Sequence, residues 1–351
     1  MTYKRIVMFG AGGFIGSNLA YHLTQAGGYD LALLDLTDDK LRIRFGDTPF
    51  NFVHCDISRD ADIIDDYVSN SDIVLDLAAF VHPSSFISSP LAVVQLNLLD
   101  TLNVVRSCVK HNRRLMHFST SEVYGKTGGN TDPFREDETN CILGPIVNQR
   151  WIYSNAKQLL DRMIHAHALR GDLEYTIVRP FNFVGPLMDY LFPEIGEGNP
   201  RVFAHFISAL LFKRPMQLVN GGHSRRCFTY IDDATLALQA ILENPEAMTN
   251  QIVNIGNPAN ETTIRDLAHR MRDIYREHFD PEVEVDIVDT PGTVFYGPGY
   301  EDCDRRMPNI SKLQAIGWSP TFDLDETFTR AMRFSVEHRD ELLAQLAPAP
   351  G

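Results

Sequence analysis

Short apolar runs alternate with segments of helical period along the first half of the chain. RIVMF (5–9), LALLDL (31–36), NFVHCDI (51–57), DIVLDLAA (72–79), RLMHFSTSEVYG (114–125) and LEYTIVRPFN (173–182) read as strands. Most are nearly continuous in apolar residues rather than alternating, which is the pattern of strands covered on both faces. Between them, SNLAYHLTQAGG (17–28) and PLAVVQLNLLDTLNVVRSCVKHN (90–112) repeat apolar positions at helical spacing, and Gly27 and Gly28 supply a stop. Strand and helix in alternation predict a parallel sheet with helices on both sides.

After Asn182 the rhythm changes. GPLMDYLFPEIGEGNP (185–200) is rich in Gly and Pro and reads as a long loop. Helices RVFAHFISALLFKR, DDATLALQAILEN and TIRDLAHRMRDIYREHF follow, mixed with short strands MQLVN, QIVNIG and EVEVDIVD. No flexible linker separates this region from the first. The chain therefore divides into a core over 1–182 and a smaller mixed α/β C-terminal lobe over 183–345, some of whose strands return to the core. The tail over 346–351 is expected to be disordered.

Bulk properties narrow the partners. At 351 residues with 44% hydrophobic side chains, there is enough for a sizeable core. A formal net charge of -14 argues against nucleic acid as the partner, because a phosphate backbone needs a basic face. No basic-then-apolar leader opens the chain, and no apolar stretch approaches the roughly 18 residues of a membrane span. Cys55, Cys108, Cys141, Cys227 and Cys303 are scattered and odd in number, as expected of reduced thiols in a cytoplasmic protein. His165 and His167 face apart on a helix, and no other group has ligand spacing, so no metal site is expected.

The first strand runs into Gly10-Ala11-Gly12-Gly13-Phe14-Ile15-Gly16 and then a helix. Such a turn lets the backbone approach a pyrophosphate, whose charge meets the helix N-terminus. Nineteen residues after Gly16, the second strand reaches Asp35. A carboxylate there accepts hydrogen bonds from ribose hydroxyls and repels a 2′-phosphate, which favours NAD over NADP. Strand, turn, helix and acidic residue together predict a Rossmann doubly wound sheet. Asp56 and Ile57, ending the third strand, and Ala78 and Ala79, ending the fourth, are expected to line its ligand crevice.

Tyr153 and Lys157 stand at i and i+4 on one helix face. A free phenol, with a pKa of about 10, is a poor base at neutral pH. A neighbouring ammonium and a positive nicotinamide favour the phenolate, which can then take a hydroxyl proton as hydride leaves. About thirty residues earlier lies Ser119-Thr120-Ser121-Glu122-Val123-Tyr124-Gly125. Either Thr120 or Ser121 can hold a substrate oxygen beside the tyrosine, and Glu122 can serve as a second acid or base.

These motifs, with RPFN at 179–182, resemble the extended short-chain dehydrogenase/reductase family of nucleotide-sugar enzymes (the NAD-dependent epimerase/dehydratase family). Longer stretches, QRWIYSNAKQLLDR, RPFNFVGPLMD, GEGNPRV, RCFTYIDDA, NIGNPANE and FYGPGYEDCDRRMPNI, are similar to its UDP-glucuronic acid decarboxylases. Two groups stand nearest: the plant UDP-apiose/UDP-xylose synthases and the decarboxylase domain of the bifunctional polymyxin-resistance enzyme. The resemblance runs from about Lys4 to about Phe334. It implies NAD-dependent oxidation at C4 of UDP-glucuronic acid followed by loss of CO2, giving a UDP-4-keto-pentose, UDP-xylose or UDP-apiose.

By the same resemblance, Tyr153 is the base, Lys157 its electrostatic partner, and Ser121 and Glu122 lie beside the reacting carbon. Arg306 meets the substrate carboxylate, where positioning or proton delivery suits it better than tight ground-state pairing. Arg226 lies near the diphosphate, Asn182 near the sugar-diphosphate, and Arg179 is structural or touches ligand. The long helices over 90–108 and 151–169 imply a homodimer. His82, after the fourth strand, is a structural residue, a substrate contact or a proton donor. Apiose synthases carry cysteine where this chain has Ser121, and cysteine and threonine where it has Val81 and His82, which speaks against apiose. A nucleotide-sugar 4-epimerase or 4,6-dehydratase shares the oxidation step, and a non-catalytic NAD-binding sensor shares the fold.

Overall fold

The structure, a computed structural model, describes residues 5–129, 131–194 and 201–344. The expected disordered tail and the GEGNP end of the loop at 185–200 lie outside these.

Seven parallel strands form the central sheet: β1 (Arg5–Phe9), β2 (Asp30–Asp35), β3 (Phe52–His54), β4 (Ile73–Asp76), β5 (Arg114–Phe118), β6 (Tyr175–Pro180) and the strand Gln251–Ile255. From edge to edge the order is Gln251–Ile255, β6, β5, β4, β1, β2, β3. The order reverses between β1 and β4, and the crevice at the carboxyl ends of those strands is where an α/β sheet takes its ligand. The strand Gln251–Ile255 comes from the second half of the chain and joins the core sheet at its edge.

Successive strand residues face opposite sides, so each strand feeds two cores. Ile6 and Met8 enter one, with Leu33, Leu75, Met116 and Val253. Val7 and Phe9 enter the other, with Leu34, Val74, Leu115 and Ile177. Each such fully buried side chain contributes roughly 1.5–3 kcal/mol relative to exposure. The first core continues into the lobe through Phe206, Leu210, Leu218, Leu267 and Met271. The lobe carries helices Val202–Leu211, Ile231–Glu243 and Ile264–His278, with small sheets such as Arg225–Cys227 between Glu261–Thr263 and Arg305–Arg306.

Three elements differ from the sequence reading. The run at 114–125 is strand only through Phe118; Thr120 then takes an extended conformation and its side chain accepts from the Glu122 N–H, starting a 3-10 turn over Ser121–Tyr124. The helix at 90–112 is broken by a π segment, Gln95–Asp100. Of EVEVDIVD, only the end lies in a strand, Ile287–Thr290.

Candidate active site

The glycine turn sits at the carboxyl end of β1. Gly10 has φ +79°, and a Cβ there would lie 2.5 Å from the backbone nitrogen of Ala78, so the turn packs directly on the segment after β4. At Gly12 a Cβ would meet the carbonyl oxygen of Thr37 at 2.1 Å. Gly13 caps the helix Phe14–Ala26 (α1), whose first turn has no acidic residue. The Asp35 carboxylate accepts from the Gly12 N–H at 2.8 Å and the Leu36 N–H at 2.7 Å. Burial raises its pKa, and those two N–H groups oppose the rise. The close turn, the open helix N-terminus and the oriented carboxylate fit a dinucleotide with an unphosphorylated ribose. Asp56 anchors its own loop by accepting from the Ser58 N–H and hydroxyl. Ile57 is buried, and its carbonyl accepts from Asn103.

Tyr153 and Lys157 lie on the helix Ile152–Leu169, and both are buried. The Tyr153 ring stacks on Phe86, centroids 4.7 Å apart and nearly parallel at 8°. Burial raises the phenol, as does Glu122; a hydrogen bond from Thr120 and the charges of Arg201 and Arg150 work the other way. Lys157 donates to the Phe118 carbonyl at 3.0 Å and is lowered by burial. Of the two hydroxyls proposed from sequence, that of Thr120 acts to lower the tyrosine pKa, while Ser121 is almost fully buried.

Glu122 is held from two sides. Arg150 grips both its oxygens, at 2.6 and 2.8 Å, and Arg306 reaches Oε1 at 3.1 Å. Burial alone would raise the carboxyl, but the two guanidiniums outweigh it and bring it to about 2. At neutral pH Glu122 is a fixed carboxylate, not a proton donor. Asp302 extends the cluster, 2.7 Å from Arg226 and 3.6 Å from Arg306. Arg226 also donates to the Arg225 carbonyl. Three guanidiniums thus face two carboxylates, leaving one positive charge in excess in a water-poor site.

The remaining sequence candidates divide. Asn182, at φ +41°, donates to the Cys227 carbonyl. Arg179 pairs with Asp161 at 3.0 Å and lies over the Tyr124 ring, so its fork is engaged within the fold. His82 lines a cavity of about 490 Å3 with Ser84, Ser85, Ser88, Tyr190, Phe192 and Tyr296. Its Nδ1 is buried without a hydrogen-bond partner among the described residues, and burial lowers its pKa against the opposing charge of Asp189. His165 and His167 bond Tyr175 and Asp172 respectively.

Sequence reasoning missed five contributors. Arg150, Tyr296 and Asp302 carried one faint signal each, their place in the quoted runs QRWIYSNAKQLLDR and FYGPGYEDCDRRMPNI. Phe86, which stacks on the tyrosine, carried none. Asn97 lies within the π segment; it accepts from the Phe80 N–H at 3.1 Å and donates to the Phe80 and Val93 carbonyls. That irregular turn faces a buried amide toward the loop after β4 and fixes the wall that carries His82.

The NAD dependent epimerase/dehydratase family model matches residues 6–256. The chain belongs to that family. Its cofactor is therefore NAD, as the glycine turn and Asp35 require. It is 38% identical over 369 aligned residues to UDP-D-apiose/UDP-D-xylose synthase of Oryza sativa subsp. japonica, covering 98% of this chain and 92% of that protein. The crystal structure of the PbgP3 protein from Burkholderia pseudomallei superposes with a TM-score of 0.85 at 31% identity, covering 97% of this chain and 99% of that one. A UDP-glucuronic acid 4-epimerase from Bacillus cereus superposes at 0.77 with 22% identity, over 95% and 99% of the two chains, and speaks only to the fold. Among the described residues, no helix is long and apolar enough to cross a membrane.

Proposed function

We propose that this enzyme oxidises C4 of UDP-glucuronic acid and releases the C5 carboxylate as CO2. The observation that carries this reading is the excess positive charge of the Glu122–Arg150–Arg306–Arg226–Asp302 cluster beside Tyr153. A buried site with one unmatched guanidinium favours an anionic substrate, and a sugar carboxylate supplies that charge. The rice relative's printed name, a UDP-apiose/UDP-xylose synthase, supports a UDP-sugar as the bearer.

NAD, when bound, supplies the hydride acceptor for the C4 carbon. Gly10, Gly12, Gly13, Phe14, Ile15 and Gly16 hold its pyrophosphate end, Asp35 its ribose, and Asp56, Ile57, Ala78 and Ala79 line the same crevice. Tyr153 takes the C4 hydroxyl proton, with Thr120 holding the oxygen and Lys157 favouring the phenolate. Oxidation places the carboxylate β to a ketone, so the electrons left by CO2 delocalise into an enolate. Arg306 and Arg150 position the carboxylate, while the fixed charge of Glu122 limits how tightly they grip it. That restraint matters, because tight pairing would stabilise the ground state and slow CO2 loss. Ser121 lies beside the reacting carbon, and Asn182 and Arg226 lie toward the diphosphate.

The products are UDP-4-keto-pentose or UDP-xylose in preference to UDP-apiose, because Ser121, Val81 and His82 stand where the apiose-forming group carries two thiols and a threonine. The surplus guanidinium disfavours a 4,6-dehydratase or a 4-epimerase of an uncharged sugar, whereas a 4-epimerase of UDP-glucuronic acid would use it equally and is separated only by loss of CO2. Leu91, Leu99 and Leu159 are exposed on the helices flanking the tyrosine and suit a homodimer interface. All five cysteines are free, which suits a reducing, cytoplasmic location.

The test is incubation with UDP-glucuronic acid and NAD, followed by absorbance, mass and proton spectra. CO2 loss with accumulating NADH identifies the 4-keto-pentose; CO2 loss without net NADH identifies a pentose, and the spectrum separates xylose from apiose. Intact NAD binding with no mass loss overturns decarboxylation.

A further inference from the structure

The chemistry above leaves one buried ionisable pair without a task. Asp76 ends β4, and His117 lies beside it in register on β5. Both are fully buried, with Nδ1 of His117 2.7 Å from Oδ2 of Asp76. The next residue of β5, Phe118, supplies the carbonyl that Lys157 binds. Lys157 too is fully buried. An ammonium removed from water is tolerable only with a carboxylate near it.

Two carboxylates act on Lys157. Burial disfavours its charged form; Asp76 opposes that most strongly, and Asp161 next. Asp161 is already matched, because its Oδ2 accepts from Arg179 at 3.0 Å and from Ser119 at 2.9 Å. Among the described residues, the Asp76 carboxylate bonds only His117, and its Oδ1 has no hydrogen-bond partner. Nε2 of His117 also has none. A doubly protonated imidazole would bury an N–H without an acceptor beside an existing ammonium. The neutral ring, donating from Nδ1 to an ionised Asp76, avoids both costs. From the opposite helix the pair is faced by Cys108, whose thiol is pushed up by burial and by Asp76. Lys157 connects the pair to Asp161, and Asp161 to Arg179.

We propose that Asp76, oriented by His117, is the counter-charge that keeps Lys157 an ammonium one helical turn from Tyr153. It is a positioning residue acting through Lys157. Besides Lys157, the charges of Glu122, Arg201 and Arg150 bear on Tyr153. Without Asp76, Lys157 loses its proton at lower pH. A neutral amine no longer favours the phenolate, so Tyr153 becomes a base only at higher pH. The inference rests on the assignment of Tyr153 and Lys157 above, but not on the identity of the sugar.

The experiment is a 13Cε NMR titration of lysine-labelled enzyme without NAD or sugar, with Lys157→Met assigning the resonance. In the isosteric Asp76→Asn variant the Lys157 midpoint should fall by about one pH unit or more, the scale of a lost nearby charge. His117→Asn places an amide N–H where Nδ1–H was and should keep the wild-type midpoint; His117→Phe should lower it. If Asp76→Asn does not fold, that pair of His117 variants decides. An unchanged midpoint in folded Asp76→Asn, or equal midpoints in the two His117 variants, overturns the proposal. With active enzyme, the acidic limb of kcat in Asp76→Asn should move to higher pH. Absence of any turnover of UDP-glucuronic acid by the wild type would count against the sugar and leave the titration decisive for Asp76.

Discussion

The two ends of the active cleft are built on different principles. The dinucleotide end is local: Gly10, Gly12, Gly13 and Gly16 follow one another, and Asp35 ends the next strand. Its geometry comes from backbone conformation and close packing. The sugar end is assembled from afar: Glu122 follows β5, Arg150 opens the catalytic helix, and Asp302 and Arg306 arrive from the lobe. Its geometry comes from charge. The first should fail by steric exclusion of a ligand, the second by leaving a buried charge unmatched. Substitutions that remove one property and spare the other separate them.

The largest effect belongs to the residue that joins the two ends. Tyr153→Phe keeps the stack on Phe86 and loses only the proton acceptor. We expect kcat to fall by roughly 10²–10⁴-fold, the usual worth of a general base, with NAD affinity unchanged by calorimetry. Activity within a few-fold of wild type would show that another group takes the proton.

Next comes the charge end. Glu122→Gln leaves Arg150 and Arg306 without their carboxylate, and breaking such a buried pair costs about 3–5 kcal/mol. The pH dependence has a definite sign. Glu122 is held near 2 when folded, below the roughly 4.5 of an unfolded chain, so it binds its proton less readily in the native state. Its stabilisation is complete above about 4.5, worth on the order of 3 kcal/mol, and disappears as pH falls toward 2. Thermal unfolding across that window should be steeper for wild type than for Glu122→Gln. Parallel curves would mean the cluster is not the acid-sensitive element.

Gly10→Ala attacks the other end. A methyl at φ +79° and 2.5 Å from the Ala78 nitrogen forces the turn off β4. Backbone strain of this kind costs of order 1–3 kcal/mol. NAD affinity should fall while an acid titration of stability keeps its wild-type slope through Glu122. A loss of that slope would show that the two ends are mechanically one unit.

The same contrast explains what could be read from the chain. Core strands, the glycine turn, Asp35 and the Tyr153–Lys157 spacing are periodic or contiguous, so sequence carries them directly. Arg150, Phe86 and Tyr296 acquire meaning only when the 80–88 loop, the catalytic helix and the lobe converge. Asn97 was hidden because a π turn breaks the very period by which helices are recognised. Arg179 illustrates the converse: it lies in a recognisable motif, yet its guanidinium serves Asp161 and Tyr124.

His82 lies where the two ends meet and offers the smallest and most discriminating test. Burial lowers its pKa, so it is a neutral imidazole at pH 7, in a cavity that Tyr296 also lines. A group that takes a proton less readily folded than unfolded leaves stability complete above its unfolded value, about 6.5, and erodes it as pH drops through that value. His82→Thr should remove that erosion, which a comparison of unfolding midpoints at pH 7 and pH 5 can detect. Threonine retains a hydroxyl donor but is shorter than imidazole, so a direct sugar contact through His82 would raise KM several-fold, about 1 kcal/mol, with kcat nearly unchanged. A fall in kcat with KM unchanged would instead assign the imidazole to proton transfer. If neither constant moved while the pH 5 stability rose, His82 would be a wall residue whose ring fills space between the cofactor turn and the charged end.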